Sequence, residues 1–112
     1  MAAYAELYLD QGTTFNNVIN LTDDVTNAYI NVAGYTVRSQ MRRSYFSANA
    51  SANITCTITD ATNGEITMSM TAANTSNLKA GRYLYDVEIV DTLGNTSRIL
   101  EGVISVTPEV TR

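Results

Sequence analysis

The chain predicts an all-β fold, and three observations carry that reading. Apolar and polar residues alternate with period 2 in several short runs. Gly, Asn and Asp cluster between the runs, where turns need residues that tolerate positive φ. No segment keeps a helical 3.6-residue periodicity over more than two turns.

Taken in order, Ala5, Leu7 and Leu9 alternate with Tyr4, Glu6 and Tyr8 and form a first strand, broken at Gln11-Gly12. Phe15, Ile19 and Leu21 share one phase and predict a second strand over residues 15–21. Residues 22–27 read as a turn, and residues 29–32 as a short strand ended by Ala33-Gly34. Tyr35, Val37, Ser39 and Met41 alternate with Thr36, Arg38, Gln40 and Arg42, the pattern of a half-buried strand. Residues 44–52 are small and polar apart from Tyr45-Phe46. Ile54, Cys56 and Ile58, a turn over residues 60–64, and Ile66, Met68 and Met70 make a hairpin with strong turn chemistry at Asn63-Gly64. Residues 71–79 are a polar crossing plugged by Leu78.

The closing segment is the clearest. Tyr83, Tyr85, Val87 and Ile89 share one parity and Asp86 and Glu88 the other. Residues 91–95 supply the hairpin loop, and a last strand runs to Val106 before Pro108 removes a ladder donor. Gly102 falls inside that strand and marks a bulge or a close approach. Seven or eight short strands at spacings of about 8–12 residues predict an immunoglobulin-like antiparallel β-sandwich, as one domain over residues 1–112. The expected core is Leu7, Ile19, Val37, Met41, Ile54, Cys56, Ile58, Ile66, Met68, Tyr83, Tyr85, Val87 and Ile89. Arg38, Gln40, Arg42, Asp86 and Glu88 are expected to be open.

Composition narrows the function classes. The chain has 112 residues, a net charge of -4 and no histidine. A mildly acidic surface repels phosphate backbones, so no nucleic-acid partner is expected. No apolar run approaches bilayer-spanning length and no basic-then-apolar leader is present, so neither a membrane partner nor secretion is expected. Without histidine the usual general base, the Ser-His and Cys-His pairs and most catalytic zinc sites are missing. Cys56, between Ile54 and Ile58, reads as core packing rather than a nucleophile. Asp86 with Glu88, Asp23-Asp24, and Asp60 with Asn63 lack the setting of a carboxylate dyad or a calcium loop. No catalytic residue, metal or cofactor is expected, and the protein is not expected to be an enzyme.

One cluster stands out. Arg38, Gln40 and Arg42 project to one side of a strand, and Arg43, Tyr45 and Phe46 follow. Arginine and aromatics together are enriched at protein contacts, while lysine, present only as Lys79, is depleted there. These six residues are the candidate interface. The competing reading is a solvated strand face paired with Asp86 or Glu88 across the sheet.

Several stretches carry a family resemblance: Leu9-Asp10-Gln11-Gly12-Thr13-Thr14-Phe15, Val32-Ala33-Gly34-Tyr35-Thr36-Val37-Arg38-Ser39-Gln40-Met41-Arg42, Ile58-Thr59-Asp60 with Asn63-Gly64-Glu65-Ile66-Thr67, Leu78-Lys79-Ala80-Gly81-Arg82-Tyr83-Leu84-Tyr85-Asp86-Val87, and Glu101-Gly102-Val103-Ile104-Ser105-Val106-Thr107-Pro108. Together they resemble the small immunoglobulin-like structural domains of tailed-phage virions and are similar to the N-terminal domain of the phage baseplate upper protein family. The resemblance implies a non-enzymatic virion structural protein, assembled in the host cytoplasm. It would dock on a larger symmetric assembly in the baseplate, tail or capsid. The implied partners are other virion proteins, or further copies of this chain in a homo-oligomer. The receptor-binding C-terminal extension of the baseplate proteins has no counterpart here, which points to docking or cementing rather than host adhesion. The alternatives are a capsid decoration (cement) protein and, from another class, a carbohydrate-binding β-sandwich, although Trp, the preferred sugar platform, is absent.

Overall fold

The computed structural model describes residues 3–22, 26, 28–44 and 51–110. The strands are β1 (Ala3–Asp10), β2 (Phe15–Asn20), β3 (Thr36–Arg42), β4 (Ala52–Asp60), β5 (Glu65–Met70), β6 (Gly81–Val90) and β7 (Thr96–Thr107), with one short helix, α1 (Ala72–Ser76), between β5 and β6. They hydrogen-bond in the order β1-β7-β6-β3-β4-β5-β2. Strand β4 serves two sheets. Ala52 to Ile54 pair with β3, and from Thr55 onward its partner is β5. One sheet is therefore β1-β7-β6-β3 with the start of β4, and the other is the rest of β4 with β5 and β2. Their inner faces meet in a single cluster that includes Leu9, Phe15, Met41, Ile54, Met68, Met70, Tyr83, Tyr85, Val87 and Ile104. The architecture is the immunoglobulin-like β-sandwich that the alternation predicts.

The pairing is antiparallel except at one place. β1 lies parallel to β7, with Ala5 opposite Gly102 and Leu9 opposite Val106. This corrects the all-antiparallel expectation. A strand's alternation says which face is dry but not which edge it joins.

Every expected core residue is buried or half-buried. Leu9, Phe15, Val32, Met70, Leu100, Ile104 and Val106 join them as buried side chains. Arg38 and Gln40 are exposed as expected, whereas Arg42, Asp86 and Glu88 are half-buried, Asp86 and Glu88 under the arginines Arg98 and Arg38 that contact them. Residues 29–32 do not form a strand. Tyr29 makes one isolated bridge to Thr22, and the segment crosses the end of the sandwich instead. Within the polar crossing, Thr71 caps α1 by accepting from the Asn74 N–H at 3.2 Å, and the buried Thr75 hydroxyl donates to the Thr13 carbonyl at 2.7 Å. A helix of five residues is too short to show a period.

Two tyrosines of β6 fix the frame. The Tyr83 hydroxyl donates to the Lys79 carbonyl at 2.6 Å, four residues upstream. That is the tyrosine corner of immunoglobulin-type sandwiches. The Tyr85 hydroxyl crosses β7 above Gly102 and donates to the Ala5 carbonyl of β1 at 2.9 Å. Gly102 thus marks a close approach: a Cβ there would collide with the Ala5 carbonyl oxygen. The bulge lies elsewhere in β7, where the register shifts between Val87 and Glu88 and leaves Ile99 unpaired.

Tyr83→Phe is expected to cost about 1–2 kcal/mol in urea unfolding with an unchanged denaturant slope, through the orphaned Lys79 carbonyl. Gly102→Ala is expected to cost about 2 kcal/mol or more through overpacking. A loss under about 0.5 kcal/mol would mean that β1 does not rest on Gly102.

Candidate functional site

The row on β3 faces outward because Val37, Ser39 and Met41 take the inner parity. Register sets each outward residue against β6: Arg38 opposite Glu88, Gln40 opposite Asp86 and Arg42 opposite Leu84. The Arg38 Nε donates to Glu88 Oε1 at 2.9 Å while its side chain stays 65% exposed. Gln40 donates to the Asn53 side chain at 3.0 Å and accepts from Arg42 at 3.0 Å. Arg38 thus makes the cross-strand pair with Glu88 that the sequence offered as one of two partners. Exposed pairs of this kind are worth only about 0–1 kcal/mol, so they order the face more than they stabilise the fold.

The bulge in β7 adds a residue that alternation alone would hide. Simple parity puts Arg98 on the inner side with Leu100. Because Ile99 is extra, Arg98 instead sits opposite Glu88 and turns outward. There it meets Asp86 at 3.4 Å and Glu101 at 3.1 Å. Asp86 consequently sits among Glu88, Glu101, Arg98 and Arg38. Burial pushes its carboxyl above the ordinary carboxylate range; Glu88 and Glu101 add to the rise, and Arg98 and Arg38 oppose it.

Arg43 does not belong to this row. Its guanidinium lies over the Tyr83 ring at 4.3 Å and donates to the Ala80 and Arg82 carbonyls at 3.3 and 3.4 Å. A Cβ on Gly81 would come within 2.5 Å of Arg43 Nη1, so the glycine makes room for the stack. Arg43 thus closes the corner that Tyr83 opens. Tyr45 and Phe46 lie outside the described residues.

Other aromatics stand where the sequence row ended. Tyr4 and Tyr8 on β1 are 64% and 70% exposed. Register places them opposite Glu101 and Ser105, on the same outer face as Arg38 and Gln40. Their outward parity was legible, but not that β1 joins this sheet. The face therefore runs from Tyr4 and Tyr8 at one edge, over half-buried Val103 and Leu84, to the β3 row.

Burial pushes the Cys56 thiol up to about 11, so it is a poor nucleophile near neutral pH. Among the described residues no group of three or more His, Cys, Asp or Glu side chains is placed to hold a metal ion. Among them, too, no helix is long and apolar enough to cross a membrane.

No protein-family model matches the chain, and no curated protein matches it in sequence. Solved structures match in fold. The SrpA adhesin of Streptococcus sanguinis aligns with TM-score 0.55 and 11% identity over 97% of this chain and 56% of the adhesin chain. An internalin-like protein of Listeria monocytogenes aligns with TM-score 0.50 and 18% identity over 95% of this chain and 28% of that one. CopC from Methylosinus trichosporium OB3b aligns at TM-score 0.42 and 12% identity, over 68% of this chain and 66% of CopC. For the adhesin and the internalin-like protein the likeness at such identities is one of fold alone.

The raised pKa of Asp86 sets a pH signature. A folded-state pKa above the unfolded one means that the native state holds the proton more tightly, so ionising Asp86 costs stability as pH rises through that range. Asp86→Asn is expected to raise the melting midpoint near pH 7, with the gain shrinking towards about pH 3, where the parent carboxyl is protonated in both states. A variant less stable near pH 7 would mean that the contact with Arg98 outweighs burial.

Proposed function

We propose that the chain is a non-enzymatic structural module of a tailed-phage virion, docking on a larger symmetric assembly through the outer face of the β1-β7-β6-β3 sheet. The virion setting rests on the sequence resemblance. The docking face rests on one observation: Tyr4 and Tyr8 stand open on the same face as an ordered lattice of arginines and carboxylates. Tyr and Arg are the residues that carry binding energy when an interface desolvates them. Side chains already held by Glu88, Asp86 and Glu101 lose less freedom on docking than mobile ones would. A capsid decoration role uses the same face and differs only in the surface it meets.

A carbohydrate-binding reading draws on the same tyrosines. Tyr4 and Tyr8 flank Glu6 on one strand face, roughly 13 Å apart from the strand rise. An exposed aromatic beside a carboxylate suits a sugar ring, but a flat face gives it little enclosure. Saturable glycan binding at millimolar or tighter affinity, lost in Tyr8→Ala, would favour this reading over docking.

The docking reading is tested with the triple variant Tyr4→Ala, Tyr8→Ala, Arg38→Ala. Folding is expected to stay within about 1 kcal/mol of the parent, because all three side chains are exposed. Occupancy in assembled particles is expected to fall by at least roughly thirtyfold at limiting protein, the effect of losing about 2 kcal/mol of contact energy. Full occupancy would exclude this face.

A further inference from the structure

The two ends of the sandwich differ in charge and in what they expose. At one end lie the β2–β3, β4–β5 and β6–β7 connections. The β6–β7 turn is tied internally. Asp91 accepts from the N–H groups of Leu93 and Asn95 at 2.9 and 2.8 Å and from the Asn95 amide at 3.3 Å. Its own N–H donates to the Asn95 carbonyl at 3.0 Å, and Gly94 donates back to the Asp91 carbonyl at 3.1 Å. This ordered turn presents Leu93 at 85% exposure. The neighbouring connection abuts it, since a Cβ on Gly34 would lie 3.0 Å from the Thr92 methyl. That connection also exposes Tyr29 and Ile30. Asp60, Glu65 and Asp91 lie at this end, and residues 28–35, 61–64 and 91–95 contain no lysine or arginine.

The opposite end is basic. Register puts Arg42 and Leu84 there, Arg43 follows β3, and Lys79 and Arg82 flank the start of β6. Among the described residues, Asp10 and Glu109 are the acids at this end. A surface depression of about 330 Å³ opens beside Leu84, lined by Arg42 and Ser44 at this end and running along the outer sheet face past Asp86 and Glu101 to Glu88 and Arg98. Arg82, two residues before Leu84 on the same outward parity, is exposed beside it.

We infer that copies of this chain associate head to tail, with the Leu93 turn of one copy seated over Leu84 of the next. The acidic tip then faces the basic end, so opposite charges steer and register the contact. Tip-to-tip pairing would oppose like charges, and an anionic membrane would repel the same tip. Leu93, an ordered and exposed apolar side chain, is the anchor, because the turn needs little ordering on docking. Such a contact joins two different surfaces, so it propagates into a ring or a filament rather than stopping at a symmetric dimer. The inference holds whether or not the assembly is a virion, and Tyr4, Tyr8 and Arg38 take no part in it.

Sedimentation velocity on the full chain between about 5 and 500 µM tests it, at low salt and at about 0.5 M salt. The weight-average mass is expected to rise with concentration past two chains and to fall back in high salt. Leu93→Asp and, separately, the double variant Lys79→Glu, Arg82→Glu are each expected to weaken association at least tenfold. All three positions are exposed, and parental melting curves would establish folding. An equimolar mixture of the two variants is expected to form a species of two chains and nothing larger, because each keeps the end that the other lacks. A parent that stays monomeric throughout, a parent that stops at a symmetric dimer, or a Leu93→Asp variant that grows like the parent would each overturn the inference.

Discussion

Strand β6 carries two tyrosines on its inner face, and each ends in a hydroxyl that would be costly to bury unpartnered. Both are answered by backbone carbonyls, one in the crossing before β6 and one in β1. Tyr83 holds the crossing that brings the chain into β6, and Tyr85 reaches over β7 to hold β1. The rings supply core volume and the hydroxyls supply position, the two roles an amphipathic aromatic can play at once. Burial, with the nearby Tyr4 adding to it, pushes the Tyr85 phenol up to about 12, so it stays a donor under ordinary conditions. Glycine at 102 follows from this geometry, because any side chain there would occupy the space between Ala5 and the tyrosine ring.

The outer face inherits its order from the same strand. β6 lies between β3 and β7, so its outward carboxylates receive arginines from both sides: Arg38 from β3 and, by way of the bulge, Arg98 from β7. Without the unpaired Ile99, Arg98 would point into the core, where an unpaired guanidinium could not be accommodated. The bulge thus converts a burial conflict into a surface lattice. The parallel attachment of β1 then carries Tyr4 and Tyr8 onto that face. The outer face and the inner frame are two sides of one sheet.

Much of this was legible in the residues. Alternation identified β1 to β6, because each has one dry and one wet face, and turn chemistry at Asn63-Gly64 and residues 91–95, with Pro108, placed the hairpins and the last strand. Alternation gave the outward parity of Arg38, Gln40 and Arg42 and the inward parity of Tyr83 and Tyr85. It could not give pairing partners, which depend on contacts distant in sequence, and so missed the parallel β1–β7 ladder and the company that Tyr4 and Tyr8 keep. A single extra residue, Ile99, reverses parity without any compositional mark, and so the place of Arg98 stayed hidden. Arg43 was grouped with its sequence neighbours, but β3 ends at Arg42 and the next residue is free to turn onto Tyr83. Residues 29–32 have the composition of a strand without a neighbouring strand to pair along their length.

Hydrogen exchange of backbone amides tests most directly whether the two tyrosines of β6 hold the frame. In the parent, amides of β6 and of its neighbours β3 and β7 should exchange slowest. In Tyr85→Phe, the amides of β1 should lose protection by at least roughly tenfold, while those of β3 and β6 change little, because only the tie from Ala5 is cut. Uniform loss across every strand, or unchanged protection in β1, would contradict the account: the first would make Tyr85 a general packing residue, and the second would mean that β1 is held by its ladder alone.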